Sequence, residues 1–235
     1  DPICPDAVFP NNWLGVHPGG QVFLYQMQAL SRRNEVRPEL ASMLADIYPG
    51  LIVTDLRYEL DNKNQVLEGT GSMVFDHLQK TVYAAVSGRT SREAVIEIAA
   101  KLGYKPLVFH TMTPSGTPVY HTNVLLSIGT GFAIVASEVI HIDDREAVLA
   151  ELRSTGRTII EISLKQMECF AANALELRNS AGEKLIVISS TAVKSLEESQ
   201  LAALQNHGLL LETDVPVIEQ NGGGSVRCML AEVFY

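Results

Sequence analysis

Three residues in short polar motifs carry side chains that can perform covalent and acid–base chemistry. Cys228 ends the run NGGGSVRC, His121 lies in YHTNV, and Glu68 opens EGTGSM. A cysteine thiolate is a nucleophile near neutral pH, an imidazole can move protons, and a carboxylate can orient a substrate or hold positive charge. The glycines before Cys228 let the backbone come close to a ligand, and Arg227 would favour the thiolate. These residue types predict a cysteine-dependent reaction on a polar substrate.

The three motifs belong to a series of five that recurs along the whole chain. Its members are Asp6, Glu68, His121, Asn173 and Cys228, and consecutive members are 52 to 62 residues apart. A period of about 50 residues is typical of the blades of a propeller or the turns of a solenoid. Each unit has its own helix and short strands, and no polar capping repeat ends the chain, which favours a closed ring. In a ring, equivalent positions converge on the axis, so the five polar groups would meet in one cavity.

The elements between the motifs follow the same period. Apolar spacing and acidic or serine residues at the N-terminal side predict four amphipathic helices, at residues 37–48, 91–102, 143–152 and 195–206. Runs rich in β-branched residues predict strands, at residues 21–26, 51–54, 81–86, 107–110, 132–137, 158–163, 184–189, 209–213 and 229–234. Each unit is therefore predicted to contain a helix, a strand, a polar motif and a second strand.

The repeats predict a single domain over residues 1–235. Its units lie at residues 1–30, 37–87, 91–137, 143–190 and 195–235. The first unit has only the motif with Asp6 and the strand at 21–26, without the helix and strand that precede the other motifs. The chain also starts at Asp1 instead of Met. We therefore expect the first blade to be incomplete in this numbering and the domain to begin upstream.

Composition and charge argue against several classes of protein. Hydrophobic residues make up 46% and charged residues 19% of the 235 residues, which is typical of a globular protein with a large core. The net charge of −9 argues against nucleic-acid binding, and no apolar run approaches the ~20 residues that span a bilayer. The three cysteines predict no disulfide framework, and the histidines lack ligand spacing. We therefore expect no metal and a reducing, cytoplasmic location.

Five stretches resemble the guanidino-group-modifying enzymes of the pentein superfamily. They are PDAVFPNNW (5–13), LEGTGSMVFDH (67–77), YHTNV (120–124), FAANALEL (170–177) and GGGSVRCMLAEVF (222–234). The superfamily includes arginine deiminase, dimethylarginine dimethylaminohydrolase and the amidinotransferases. The motifs look most like those of bacterial arginine-deiminase-related proteins and citrulline-utilisation hydrolases. The resemblance implies the pentein fold, which is a five-bladed α/β-propeller with pseudo-fivefold repeats.

The resemblance also implies a role for each motif residue. Cys228 matches the covalent nucleophile, His121 the general acid–base, and Glu68 the carboxylate that grips the guanidino or ureido nitrogens. Asp6 matches the acidic position that opens the first substrate-binding motif. The implied reaction is attack of the thiolate on the trigonal carbon, departure of an amine protonated by His121, and hydrolysis of the S-linked intermediate. It requires neither a metal nor an organic cofactor.

The sequence departs from the arginine-acting members at two places. Asn11 and Asn12 stand where those members commonly have a second aspartate, and Asn123 stands where the arginine deiminases have Asp after His-Thr. A buried guanidinium cation needs carboxylates around it, whereas an amide offers both a donor and an acceptor. Amides suit the neutral ureido group of citrulline. We therefore predict hydrolysis of citrulline to ornithine, ammonia and carbon dioxide, with arginine deimination as the alternative.

Further residues are predicted to bind the amino-acid part of a small substrate. An arginine fork suits its α-carboxylate, and Arg89 and Arg227 are the best candidates, ahead of Arg33 and Arg57. Asn173 is expected to line the cavity and orient the substrate, because an amide is neither an acid nor a base. A homo-oligomer is compatible with the sequence.

Three other functions remain open at this point. A dimethylargininase-type hydrolase or an amidinotransferase would use the same cysteine and histidine. A non-enzymatic pentein-fold binding protein would lack the Cys/His/Glu set, so Glu68, His121 and Cys228 argue against that class, as does the charge of −9. Ammonia release without an acceptor amine would separate hydrolysis from transfer.

Overall fold

The protein has an α/β fold, and its computed structural model describes residues 4–235. The strands in chain order are β1 Leu14–His17, β2 Gln21–Leu24, β3 Ile52–Asp55, β4 Val74–Asp76, β5 Thr81–Ala85, β6 Lys105–Phe109, β7 Leu126–Ile128, β8 Phe132–Val135, β9 Thr158–Glu161, β10 Leu175–Arg178, β11 Lys184–Ser189 and β12 Leu209–Thr213. The helices are α1 Pro38–Ile47, α2 Arg57–Asn62, α3 Gly69–Ser72, α4 Arg92–Leu102, α5 Thr122–Leu125, α6 Ile142–Ser154, α7 Leu164–Glu168, α8 Ser190–Ser195, α9 Glu198–Gln205 and α10 Pro216–Gly222. Short 3₁₀ turns lie at Pro10–Asn12, Leu30–Glu35, Ser137–Val139 and Val226–Met229.

The strands form four separate three-stranded sheets with one common plan. Their orders are β1-β2-β3, β4-β5-β6, β7-β8-β9 and β10-β11-β12. In each sheet the first two strands form an antiparallel hairpin, and the third strand pairs in parallel with the second. A parallel pair needs a crossover connection, which α1, α4, α6 and the pair α8–α9 provide. The four sheets are therefore repeats of one structural unit.

The four amphipathic helices predicted from apolar spacing are confirmed as α1, α4, α6 and α9. Local chemistry explains where they begin and end. Gly103 ends α4 in the left-handed region, at a φ of 73°. His141 caps α6 by accepting a hydrogen bond from the Asp143 backbone. A capping box between Glu197 and Gln200 begins α9.

Strands that we predicted in one unit pair differently in the structure. The runs 51–54 and 81–86 lie in different sheets, because β3 pairs with β2 and β5 pairs with β6. The strand after each crossover helix returns to the sheet that precedes the helix. The sheet that follows the Asp6 motif therefore contains three strands, and the expectation of a blade that is incomplete ahead of Asp6 stays a prediction. The predicted strand at 229–234 is also wrong, since residues 230–235 have no strand partner among the described residues.

The first strands of the four sheets, β1, β4, β7 and β10, follow directly after polar motifs and surround a cavity of about 150 Å³. Ala231, Glu232 and Phe234 of the C-terminal segment also line this axial cavity. The apolar core lies farther out, between the sheets and helices, and includes Tyr83, Phe109 and Phe132. The sheets therefore direct their polar motifs towards the middle of the molecule. Among residues 4–235, none of the helices has the length and hydropathy needed to cross a bilayer.

Candidate active site

The loop that carries Cys228 packs closely on Phe9. After α10, Gly223 is left-handed, at a φ of 63°, and the chain then enters the 3₁₀ turn that contains Cys228. A Cβ atom on Gly222 or Gly224 would come within 2.8 or 2.9 Å of the Phe9 ring. Larger residues would push the loop away, since protein interiors are close-packed. The glycines thus allow the Cys228 loop to pack against the first motif. The thiol of Cys228 is buried.

Two amides donate hydrogen bonds to the Cys228 sulfur. Nδ2 of Asn173 lies 3.2 Å from Sγ, and Nδ2 of Asn123 lies 3.5 Å from it. Oδ1 of Asn173 accepts a hydrogen bond from the backbone N–H of Arg227, 3.1 Å away. The third, fourth and fifth motifs are therefore in direct contact around one sulfur atom.

His121 and Glu68 form a buried hydrogen-bonded pair. Nε2 of His121 lies 2.8 Å from Oε2 of Glu68, and the two side chains are 3% and 1% exposed. The backbone N–H of Gln28 donates to the other carboxylate oxygen, at 2.9 Å. The hydroxyl of Thr122 donates to the Ser72 carbonyl oxygen at 2.6 Å and holds the second motif against the third. The second and third motifs thus place an acid and an imidazole side by side.

The residues on both sides of His121 reach the loop that carries Cys228. The Tyr120 hydroxyl donates a hydrogen bond to the Gly223 carbonyl oxygen. On the other side, Asn123 contacts the sulfur, as described above. The motif that carries His121 is therefore in contact with the loop that carries Cys228.

The buried pair has shifted protonation equilibria. Burial lowers the pKa of His121, and it outweighs the opposite effect of the Glu68 hydrogen bond and charge. Burial by itself would raise the pKa of Glu68, but the hydrogen bond and charge of His121, with the Gln28 N–H, bring it below its usual value. A neutral imidazole next to an ionised carboxylate is the favoured state at neutral pH. Such an imidazole can accept a proton.

Asn12 and Gly71 complete the surroundings of His121. A Cβ atom on Gly71 would lie 2.6 Å from Nδ2 of Asn12 and 3.0 Å from the His121 ring, so a glycine is needed for this close approach. Asn12 Nδ2 donates to Oδ1 of Asn11 at 3.1 Å. Its Oδ1 accepts a hydrogen bond from the Arg32 guanidinium at 3.0 Å. The first motif therefore meets the second and third, and the orientation of its amide is fixed.

Arg32 is a buried site residue that the sequence analysis missed. Its guanidinium donates to both carboxylate oxygens of Glu35, at 2.8 to 3.2 Å. It also lies 3.8 Å from the Asp6 carboxylate and 3.9 Å from that of Glu68. Asp6 itself is partly exposed, and its carbonyl oxygen accepts from Arg32 at 3.3 Å. Its neighbour Arg33, one of the candidates for the substrate carboxylate, binds Asp61 near the surface. The spacing of Arg32 and Glu35 within one turn was the signal available in the sequence.

The two arginines predicted to bind a carboxylate lie on different sides of the site. Arg89 reaches Glu68 at 3.7 Å and lies over the Tyr120 ring, at 5.2 Å from its centroid. Arg227 binds Glu232 at 3.1 Å and donates to the Leu230 carbonyl oxygen. Its side chain lines the axial cavity, which Asn123 also lines but the thiol and the His121–Glu68 pair do not. Arg89 is therefore the better placed of the two to meet a substrate.

Within residues 4–235, no three His, Cys, Asp or Glu side chains are placed to hold a metal ion together. Oδ1 of Asn123 is buried and has no hydrogen-bond partner among the same residues.

A sequence profile of eukaryotic N,N-dimethylarginine dimethylhydrolases matches residues 2–235. The chain belongs to this family. The resemblance to the guanidino-modifying enzymes of the pentein superfamily, predicted from the five motifs, is thereby confirmed, and the family is one of hydrolases. No curated protein sequence matches the chain significantly.

Solved structures show the same fold at low sequence identity. ArgZ, an arginine dihydrolase from the ornithine–ammonia cycle in cyanobacteria, is 18% identical, with a TM-score of 0.77, and the match covers 98% of this chain. The chain spans 33% of the length of that protein and 77% of the N-terminal domain of ArgZ, which was solved with bound substrate. DDAH from Pseudomonas aeruginosa, solved with citrulline, is 18% identical, with a TM-score of 0.66, over 94% of this chain and 74% of that one. These similarities establish the α/β fold.

Proposed function

We propose that the protein is a cysteine-dependent hydrolase that acts on the ureido or guanidino group of a free amino acid. One observation supports this above the others: a buried His121–Glu68 pair lies in motifs that contact the loop of Cys228. A thiol, an imidazole and a carboxylate brought together from three repeats are the groups that such a hydrolysis needs. The family name and the enzymes among the solved structures support the same class of reaction.

The proposed reaction uses the neutral state of His121. Sγ of Cys228 attacks the trigonal carbon, and the thiol proton passes to His121. His121 gives that proton to the departing ammonia, and the remaining carbon is bonded to the sulfur. Water, deprotonated by His121, then breaks the carbon–sulfur bond and restores the thiol. For citrulline this step releases a carbamate, which loses carbon dioxide to give ornithine.

The charge of the site supports a neutral substrate. Glu35, Glu68 and Asp6 bring three carboxylates to the site, but the Arg32 guanidinium lies 2.8 to 3.9 Å from all three. An internal cation therefore already balances part of the negative charge that would attract a substrate guanidinium. Asn12 adds an amide where a carboxylate would favour a cation. We infer that citrulline is the substrate, with Glu68 and Asn12 at its ureido group and Arg89 at its carboxylate.

Arginine and N,N-dimethylarginine are the alternative substrates. One of the similar structures is an arginine dihydrolase, and the family is named for dimethylarginine. The reacting carbon is trigonal in all three compounds, so the same thiol can attack each of them. Amidino transfer is a further alternative, since it uses the same first step.

We further infer that the fold is a five-bladed α/β-propeller formed by a single domain. Ala231, Glu232 and Phe234 lie at the axial cavity beside the first strands of the four sheets, as a fifth first strand would. Leu40, Met43 and Ile47 on α1 are exposed, whereas the corresponding α4 buries its apolar face. A fifth sheet next to α1 would cover these side chains. An experimental structure of the protein in which Leu40, Met43 and Ile47 are exposed to water would contradict the inference. The oligomeric state and the cytoplasmic location stay predictions.

Ammonia release tests the proposed function. Purified protein is given citrulline, arginine, N,N-dimethylarginine or agmatine without an acceptor amine, and ammonia is measured over time. We expect release from citrulline at the highest kcat/KM and a loss of at least about 1,000-fold in Cys228→Ser, because the nucleophile is removed. Cys169→Ser is the matched control, since this free cysteine is partly exposed and lies outside the site.

The outcomes separate the alternatives. Faster release from arginine than from citrulline would contradict the charge argument and favour a deiminase. Product formation that needs an added amine would identify an amidinotransferase. Full activity of Cys228→Ser would refute the covalent mechanism, and absence of turnover on every compound would favour a binding protein.

A further inference from the structure

The Asn173 side chain uses its hydrogen-bonding groups within the protein. One N–H of Nδ2 points to the Asn123 carbonyl oxygen at 3.0 Å, and the other to Sγ of Cys228 at 3.2 Å. Oδ1 accepts from the backbone N–H of Arg227 at 3.1 Å. The residue is 0% exposed. No N–H of this amide is left to contact a substrate, in contrast to the substrate-binding role predicted from the sequence.

The backbone around Asn173 is built to hold this position. A capping box between Ser163 and Gln166 starts α7, and the chain turns sharply after it. Phe170 adopts a φ of 61°, which is unfavourable for an aromatic residue and persists only where the surroundings enforce it. The Asn173 N–H closes this turn on the Phe170 carbonyl oxygen at 2.8 Å. A strained turn whose last residue contacts the sulfur points to a function beyond packing.

We propose that Asn173 is a positioning residue that orients Cys228 and stabilises its thiolate, which rests on the proposed role of Cys228 as nucleophile. Hydrogen bonds to a charged acceptor are stronger than those to a neutral one, so an N–H donor favours the thiolate over the thiol. Asn123, at 3.5 Å, supplies a second and weaker donor. Because Asn173 also holds the Arg227 N–H, it fixes the sulfur relative to the backbone of its own loop.

The contacts determine the orientation of the Asn173 amide. In the reverse orientation, the carbonyl oxygen of Asn173 would face the sulfur and the Asn123 carbonyl oxygen, and two pairs of acceptors would repel each other. The amino group would face the Arg227 N–H, where it has no acceptor. An aspartate of the same shape could still accept from Arg227 but could not donate to the sulfur. Asn173→Asp therefore keeps the packing, removes the donor and adds a negative charge beside the sulfur, and both of the last two changes disfavour the thiolate.

The test measures the reactivity of Cys228 directly, without any substrate. Alkylation by iodoacetamide at pH 7 and thiolate absorbance during a pH titration are compared for the unmodified protein and Asn173→Asp. We expect alkylation to slow by about 10- to 100-fold and the thiolate to form at higher pH, as expected for loss of a charge-assisted donor. The Cys228→Ser protein provides the background from the other cysteines. Asn206→Asp, at an exposed helix end, is the matched control and should react as the unmodified protein does.

Turnover distinguishes positioning from substrate contact. With the best substrate, we expect kcat of Asn173→Asp to fall by a similar factor while KM changes less than about threefold. Unchanged alkylation and titration would overturn the proposal, and so would a raised KM with normal alkylation. If the protein turns over no substrate but the alkylation effect is present, the proposed function fails and the donor role stands.

A second variant covers the case in which Asn173→Asp does not fold, as judged by circular dichroism. Asn123→Asp removes the other donor to the sulfur, so alkylation should slow in the same direction but by a smaller factor. Unchanged alkylation in Asn123→Asp would then overturn the donor role of these amides.

Discussion

The contact between His121 and Glu68 determines which imidazole nitrogen can move a proton. Nε2 faces the carboxylate, so it carries the hydrogen, and Nδ1 is the nitrogen with a free lone pair. The Gly71 backbone lies next to the ring, and a Cβ there would be 3.0 Å from Nδ1. The carboxylate therefore selects the tautomer whose Nδ1 can accept a proton.

The pH dependence of turnover tests this assignment. Burial holds the pKa of His121 below its usual value of 6.5, so the ring stays neutral until the pH falls below that value. We expect kcat/KM to be constant from pH 8 to below pH 6.5 and to decline only at lower pH. Glu68→Gln removes the group that raises this pKa, so the decline should move to still lower pH, with kcat/KM lower by about 100-fold or more. A decline of kcat/KM centred above pH 6.5 would contradict the assignment, because it would mean that the pKa of His121 is raised and not lowered.

Single residues could be predicted from the sequence where their chemistry is rare. Glu68, His121 and Cys228 stand out because they are the reactive side chains among polar motifs that recur about every 50 residues. The structure pairs His121 with Glu68 and brings the motif of His121 to the loop of Cys228. Arg32 could not be chosen over Arg33, because its role depends on burial next to Glu35, which spacing alone does not reveal. The contacts of Asn173 with the sulfur depend on a strained turn at Phe170 that no sequence pattern indicates.

At the scale of elements, periodic patterns were informative and short segments were not. The helices α1, α4, α6 and α9 have enough turns to show apolar spacing, so their positions were predictable. The first strands of the sheets, such as β4 and β7, have only three residues and directly follow a motif, so they gave no alternating pattern. The third strand of each sheet pairs in parallel with a strand that precedes the crossover helix in the chain. Local sequence does not specify such a pairing, so the sheet to which each strand belongs could not be predicted.

The short helix α3 illustrates how an element places the site, and Gly71 within it is testable. A Cβ atom at Gly71 would collide with the Asn12 amide and approach the His121 ring. We expect Gly71→Ala to lower kcat/KM by about 10- to 100-fold, since small displacements of reacting groups are costly, with a stability loss of about 1–3 kcal/mol. Gly88→Ala is the control, because open space surrounds that position. Steady-state kinetics and urea denaturation measure both effects, and normal kinetics in Gly71→Ala would show that the two groups can move apart freely.

At the scale of the whole molecule, separate sheets must be held together around the axial cavity. Arg157, just before β9, binds Asp76 at the end of β4 through two contacts of 2.6 and 2.8 Å. The Asp76 side chain is 0% exposed and that of Arg157 3%. Arg157 also donates to the Gly129 carbonyl oxygen at 2.8 Å. This ion pair joins the second sheet to the third at the wall of the cavity. The Arg157 guanidinium also satisfies the Gly129 carbonyl oxygen, which an apolar side chain could not do.

Removing one partner of this pair should destabilise the entire fold. Asp76→Asn leaves the Arg157 charge buried without a counter-charge, and we expect a loss of about 3–5 kcal/mol in the free energy of unfolding. The double variant Asp76→Asn/Arg157→Leu removes both charges, so it should lose less than the sum of the losses in Asp76→Asn and Arg157→Leu. Glu151→Gln breaks the exposed pair with Lys105 and should cost less than about 1 kcal/mol. Urea denaturation of the unmodified protein, the double variant and the single variants Asp76→Asn, Arg157→Leu and Glu151→Gln measures these differences. Additive losses would mean that the pair does not couple the two sheets, because charges that stabilise each other cannot be removed independently.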